Sequence, residues 1–376
     1  MKIIIAKKRL EMAVKNICRV INKKNELPIL DDILCMADES KKRLTLTGSD
    51  CETWLHYQVE LDDCECSGAF CVSADLLKKA LAELKDQPLT IDVDLTLEKL
   101  ELKHQTGATQ LPLVDHNEYP TPTWHDTTTT EWTLESGMLN RVMKRTINFV
   151  ADDELRPIMC GVFFEQTKEA LNIVASNGHI LIRNAEQVDN PMGSFIIPKK
   201  ACKLLSKVMI GSEDVKIEFG ERLASFEQGA VTLVSRLTEG KYPRYMKVIP
   251  ENPPHHLTTD RLSMLTALRN VANFTTEKSR LLKMHIGSDN KMTLYGENWD
   301  ISAAANDRID IEYAEAKAMA FGVKADATIK ILSFMVEPCV SIHFTDSSHA
   351  LTITPVDPIY EGEELTMLIM PMLLDD

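Results

Sequence analysis

Apolar and polar positions recur along this chain in two rhythms, and the rhythms alternate in a fixed order. Short apolar runs lead into stretches with an apolar residue every three or four positions. They are MKIIIAKKRLEMAVKNICRVI from residue 1, EWTLESGMLNRVMKRTINFV from 131 and HHLTTDRLSMLTALRNVANF from 255. Each reads as a strand running into an amphipathic helix. A second set shares that lead-in: GAFCVSADLLKKALAEL from 68, GSFIIPKKACKLLSKVM from 193 and AMAFGVKADATIKILSFM from 318. LTLTGSD (44–50), LNIVASNGH (171–179) and MTLYGENWD (292–300) fall between the two helices of each pair. After the second helix, LTIDVDLTLEKLELKH, VKIEFGERLASFEQGAVTLVSRL and VSIHFTDSSHALTIT alternate with period two, the mark of half-buried strands.

The order therefore repeats three times, each copy holding two helices and many short strands, which makes the fold class α+β. The copies span 1–122, 128–250 and 255–376. DHNEYPTPTWHDTTTT (115–130) and KYPRYMKVIPENPPHH (241–256) separate them and read as extended linkers. The chain has 376 residues, 44% hydrophobic and 26% charged, which excludes a disordered or fibrous chain. No apolar run approaches a membrane span or a signal-peptide core, so a soluble, cytoplasmic protein with no membrane partner is expected. Nine scattered cysteines, an odd number, argue against a disulfide framework.

Charge changes the picture. The formal net charge is −14, which on its face argues against a nucleic-acid partner. The helix windows 7–24, 73–86, 136–151, 198–209, 260–273 and 322–336 nevertheless hold 21 of the Lys and Arg residues and only 6 of the Asp and Glu residues. Leu10, Val14, Ile17 and Ile21 share one face of the first helix, and Lys8, Lys15, Arg19 and Lys23, with Lys24 following, lie opposite. In the second copy Arg141, Lys144 and Arg145 oppose Leu139, Met143, Ile147 and Val150. Lys199, Lys200, Lys203 and Lys207 oppose Ala201, Leu205 and Val208. The third copy offers Ser263, Thr266 and Asn270 instead. A solvated face explains one basic helix. Three in an acidic chain point to phosphate, bound without reading bases, in a salt-dependent way.

Catalytic constellations are weak. Asp152-Asp153-Glu154 offers consecutive carboxylates that converge poorly on one ion. Cys64-x-Cys66-x4-Cys71 lacks the second pair of a zinc site. His179, in ASNGH, has no nucleophile of known pattern. No phosphate loop or dinucleotide fingerprint is present, so neither a cofactor nor a metal is expected. The apolar end, LTMLIMPMLLDD, reads equally as a last strand or as an adaptable wall for apolar peptides.

Leu27-Pro28-Ile29-Leu30, LTLTGSD, Tyr119-Pro120, ASNGH, EGKYPRYMKVIP (239–250) and Met370-Pro371-Met372, in that order, resemble the bacterial DNA polymerase III β subunit family, the sliding clamps, over essentially the whole chain. The resemblance implies three DNA-clamp (processivity-fold) domains, with helices lining a ring and antiparallel sheets outside. It implies a head-to-tail homodimer around double-stranded DNA, opened by a clamp loader. It implies a non-catalytic tether for the replicative polymerase and for repair proteins that dock a short apolar peptide motif. The implied peptide pocket is Met159, Ser176, Gly178, His179, Ile180, Leu181, Pro243, Lys247, Val248, Ser348, Ala350, Leu368, Ile369, Met370, Pro371 and Met372. The implied interface places Thr109 and Leu111 against Asn273 and Phe274. Ile180 stands where many relatives carry arginine, Ala327 where some carry an aromatic, and the tail ends Leu373-Leu374-Asp375-Asp376. These departures imply a more apolar pocket with a more acidic rim. A metal-dependent hydrolase on Asp152, Asp153 or Glu154 and a non-replicative scaffold are the alternatives.

Overall fold

The computed structural model describes residues 1–22, 24–123, 128–153, 155–315 and 318–374. Among them are six α-helices: α1 (Lys7–Ile17), α2 (Ala74–Ala82), α3 (Met138–Thr146), α4 (Lys199–Val208), α5 (Arg261–Ala272) and α6 (Ala325–Phe334). Each follows a strand, five without an intervening residue. Local chemistry fixes some of these starts: Ser73 Oγ accepts the Leu76 amide and Asp260 Oδ1 the Ser263 amide, both as N-caps. α1 ends earlier than its periodicity suggests. At Cys18–Val20 the amides of Arg19 and Val20 turn to the carbonyls of Asn16 and Ile17, tightening the last turn.

The small residue of the recurring middle element is a packing device. A Cβ on Gly48 would meet Ile17 Cγ2 at 2.6 Å, and one on Gly296 would meet the Val271 carbonyl oxygen at 2.7 Å. A helix can lie this close to the strand only because the side chain is missing. Ala175 occupies the matching place in the second copy and is fully buried.

Contacts group the chain into two compact units: Met1–Met143 with Lys200–Thr238, and Lys144–Lys199 with Glu239–Asp376. The first holds a 13-stranded antiparallel sheet. In it the second copy's strand Val231–Arg236 pairs with the first copy's Thr53–Glu60. The second holds an eight-stranded and a four-stranded sheet. In the larger one the second copy's Ile180–Glu186 pairs with the third copy's Glu363–Ile369 over seven residue pairs, from Ile180–Ile369 to Glu186–Glu363. The middle repeat is thus split between the two units. No helix of the described residues is long and apolar enough to cross a membrane, and none of the nine cysteines is in a disulfide.

The first linker is partly tied down. Tyr119 is buried with its hydroxyl 3.4 Å from the Thr47 carbonyl, and Trp54 Nε1 donates to the Pro120 carbonyl at 2.8 Å. Near Tyr119 the buried carboxyl of Asp32 is pushed up to about 6 by desolvation, with Asp31 adding to it. A carboxyl raised on folding holds its proton more tightly in the folded state, so stability falls as pH rises from about 4 to about 6 and does not return above that. Asp32→Asn is therefore expected to stabilise the chain near pH 7.5 by up to about 3 kcal/mol and to leave it unchanged near pH 4. Urea denaturation at the two pH values measures this; an equal effect at both would contradict it.

Candidate functional site

The basic helix residues divide into exposed and engaged. Lys8 and Lys15 on α1, Arg19 and Lys24 beyond its end, Lys144 on α3, and Lys203 and Lys207 on α4 are exposed. Arg141 is half-buried, and Lys23 lies outside the described residues. Arg145 corrects the sequence reading: it is 5% exposed and forms an ion pair with the equally buried Glu363. The last turn of α3 meets the sheet there, and Asn184 Nδ2 donates to Thr146 Oγ1 at 2.9 Å beside it. Lys200 is a latch rather than a free cation. Its Nζ pairs with Asp50, donates to Asn22 Oδ1 at 2.5 Å and reaches the Val20 carbonyl at 3.4 Å. Asp50 also accepts the Glu52 and Thr53 amides, so the final residue of LTLTGSD both closes a turn and fixes α4. Lys199 pairs with Asp152.

The ASNGH turn builds one wall of an apolar cavity of about 220 Å³. Ser176 Oγ accepts the Gly178 amide at 3.1 Å and donates to the Ile180 carbonyl at 2.9 Å; Asn177 Oδ1 accepts the amides of His179 and Ile180, both at 3.0 Å. Gly178 sits at φ +90°, where a side chain would be strained and would crowd Arg156. Past the end of strand Glu363–Ile369, the Met370 amide donates to the His179 carbonyl at 2.9 Å and carries the Met370 side chain to the cavity.

Met159, Ser176, Gly178, His179, Ile180, Leu181, Pro243, Val248, Leu368 and Met370 all line this cavity. Tyr242, Arg244 and Tyr245 also line it and were missed. The second linker is consequently no plain extended connector. Tyr242 stacks on Phe163 at 4.6 Å between centroids, and Tyr245 meets the same ring at 6.2 Å and donates to Glu165 Oε2 at 2.6 Å. Burial, and for Tyr245 the neighbouring Glu165, push both phenols above their ordinary range. Two aromatics three residues apart in a proline-bearing stretch were the available signal. Lys247, Ser348, Ala350, Ile369, Pro371 and Met372 are not on the cavity wall. Ala350 packs in the apolar cluster beneath it, with Val174, Leu181, Tyr242, Tyr245 and Leu368. The Met372 amide turns to the Gly322 carbonyl at 2.7 Å. The C-terminal segment is therefore strand up to Ile369 and cavity wall at Met370.

The other candidates have local roles. Asp153 accepts the Leu155 amide at 3.0 Å and the Arg156 guanidinium at 2.9 Å, which hold its carboxyl below the usual range. Glu154 lies outside the described residues. Cys64 Sγ donates to the Cys66 carbonyl at 3.3 Å.

Comparison with known proteins gives three family matches in chain order: DNA polymerase III beta subunit, N-terminal domain, over residues 1–123; central domain, over 133–244; and C-terminal domain, over 246–373. Among curated relatives, the beta sliding clamp of Escherichia coli K12 is 24% identical over 378 residues, covering 100% of both chains. That of Pseudomonas putida is 24% identical over 359 residues, 94% of this chain and 95% of its own. A solved DNA polymerase sliding clamp from Pseudomonas aeruginosa superposes with TM-score 0.92 at 23% identity over the whole of both chains. A griselimycin-bound sliding clamp from that organism gives the same score, identity and coverage.

Proposed function

This chain belongs to the DNA polymerase III beta subunit family, and on that premise we propose how its residues serve a DNA sliding clamp. A clamp is a processivity factor, not an enzyme. It lowers no barrier but holds the polymerase near the primer end, so that dissociation is followed by rebinding at high effective concentration. Two copies join head-to-tail, in the cytoplasm, into a closed ring around duplex DNA that a clamp loader opens. Among the described residues, the strand Gly107–Val114 has one edge open at its first residues, and Ala303–Asp310 pairs with no strand but Lys291–Asn298. Such edges suit strand addition across copies. Thr109 lies on the first, and exposed Asn273 and Phe274 flank α5 in the third repeat; Leu111 is buried and offers backbone only. Lys8, Lys15, Arg19, Lys24, Lys144, Lys203 and Lys207 meet phosphate, while the acidic remainder keeps DNA off other surfaces. The apolar cavity docks the short motif of polymerase and repair partners.

The observation that carries the reading is the uninterrupted run of three family matches in order. The test is topological. The protein is loaded on nicked plasmid by a cognate loader, isolated by gel filtration, and the plasmid is then cut once. Release on linearisation is expected; retention would mean ordinary affinity and would refute the ring. In the same assay at low salt, Lys203→Ala with Lys207→Ala is expected to flatten the salt dependence of residual DNA binding by about two phosphate contacts.

A further inference from the structure

His256 and His343 face each other on the second unit's eight-stranded sheet. They are direct partners between strands His255–Asp260 and Cys339–Phe344, with ring centroids 5.9 Å apart. Their strand neighbours Leu257, Ile342 and Phe344 are buried, so by alternation the two rings stand on the opposite face. His256 is exposed and His343 half-buried. His343 Nε2 lies 3.2 Å from Thr354 Oγ1 on Leu351–Pro355. When that nitrogen donates to the hydroxyl, Nδ1 keeps its lone pair, as a ligating imidazole requires.

We propose that His256 and His343 chelate a divalent transition cation of the zinc, nickel or copper(II) class. Metal–nitrogen bonds of about 2.1 Å place two imidazole centroids sharing one cation roughly 5–6 Å apart, which is their separation before any ligand arrives. Imidazole suits these cations and not magnesium or calcium, which demand oxygen donors. The register carries the row from His343 to Thr352 and on to Leu368, a cavity-lining residue two strands away, or about 10 Å. The cation therefore sits beside the cavity and does not fill it. His255 belongs to the other face, where it pairs with Glu315.

Calorimetric titration of the full chain with Zn²⁺ near pH 7.5, and then with Mg²⁺, tests this. The unaltered chain is expected to bind one Zn²⁺ more than either His256→Asn or His343→Asn, because chelation needs both rings, and to give no matching signal with Mg²⁺. Absence of that extra equivalent would overturn the site, as would its survival in either variant. His256 is exposed, so H256N alone keeps the test decisive if H343N misfolds.

Discussion

Replacing Arg145 by alanine is expected to destabilise the second unit by about 3–5 kcal/mol, the scale on which removing one partner of a buried ion pair acts. Two features put this substitution at the upper end. Glu363 is 6% exposed and cannot recruit water to replace the guanidinium. Its cross-strand partner is Glu186, also buried, so the variant leaves two carboxylates opposed at the end of the ladder joining the second and third repeats. Urea denaturation should show a lower midpoint for R145A. The double variant Arg145→Met with Glu363→Leu should recover most of the loss, since apolar replacement of a buried pair is often neutral or better. An R145A protein as stable as the parent would mean that the pair is open to solvent.

Ending the chain at Ile369 is expected to weaken docking of an apolar partner peptide by more than about a hundredfold, with the dimer retained. It removes Met370 from the cavity wall and the Met372–Gly322 contact that anchors the tail. Met370→Ala separates the two effects. It trims the wall but spares the anchor, and a single central contact of this kind is worth about 1–2 kcal/mol, or roughly tenfold. Fluorescence anisotropy of a labelled peptide measures both affinities, and size exclusion reports the dimer. Unchanged affinity in the truncated chain would place the docking site elsewhere.

Periodicity made the helices and their threefold recurrence legible, because strand and amphipathic helix have distinct rhythms that burial enforces. It could not show which cations are free. Arg145 and Lys200 follow the same facial pattern as Lys144 and Lys203, yet their partners, Glu363 and Asp50, lie far along the chain and are brought near only by tertiary packing. ASNGH was legible as a turn from its own residues, but the cavity it walls entered the reading only through the family resemblance. It was illegible where Tyr242 and Tyr245 approach from a segment whose prolines read as a linker. Met370 and Met372 part for a related reason: two residues apart, their amides turn to different neighbours, the His179 and the Gly322 carbonyls.

The pairing of strands between repeats has a consequence for dissection of the chain. Cut out alone, the middle repeat would lose the partner of Val231–Arg236 on one side and of Ile180–Glu186 on the other. Both strands would then present rows of unsatisfied amides and carbonyls, templates for self-association. The sequence counts three modules, but the hydrogen-bond ladder does not supply three separable ones. An excised middle fragment would be an aggregation-prone intermediate, and amide exchange in the intact chain should reach its slowest rates at those two junctions.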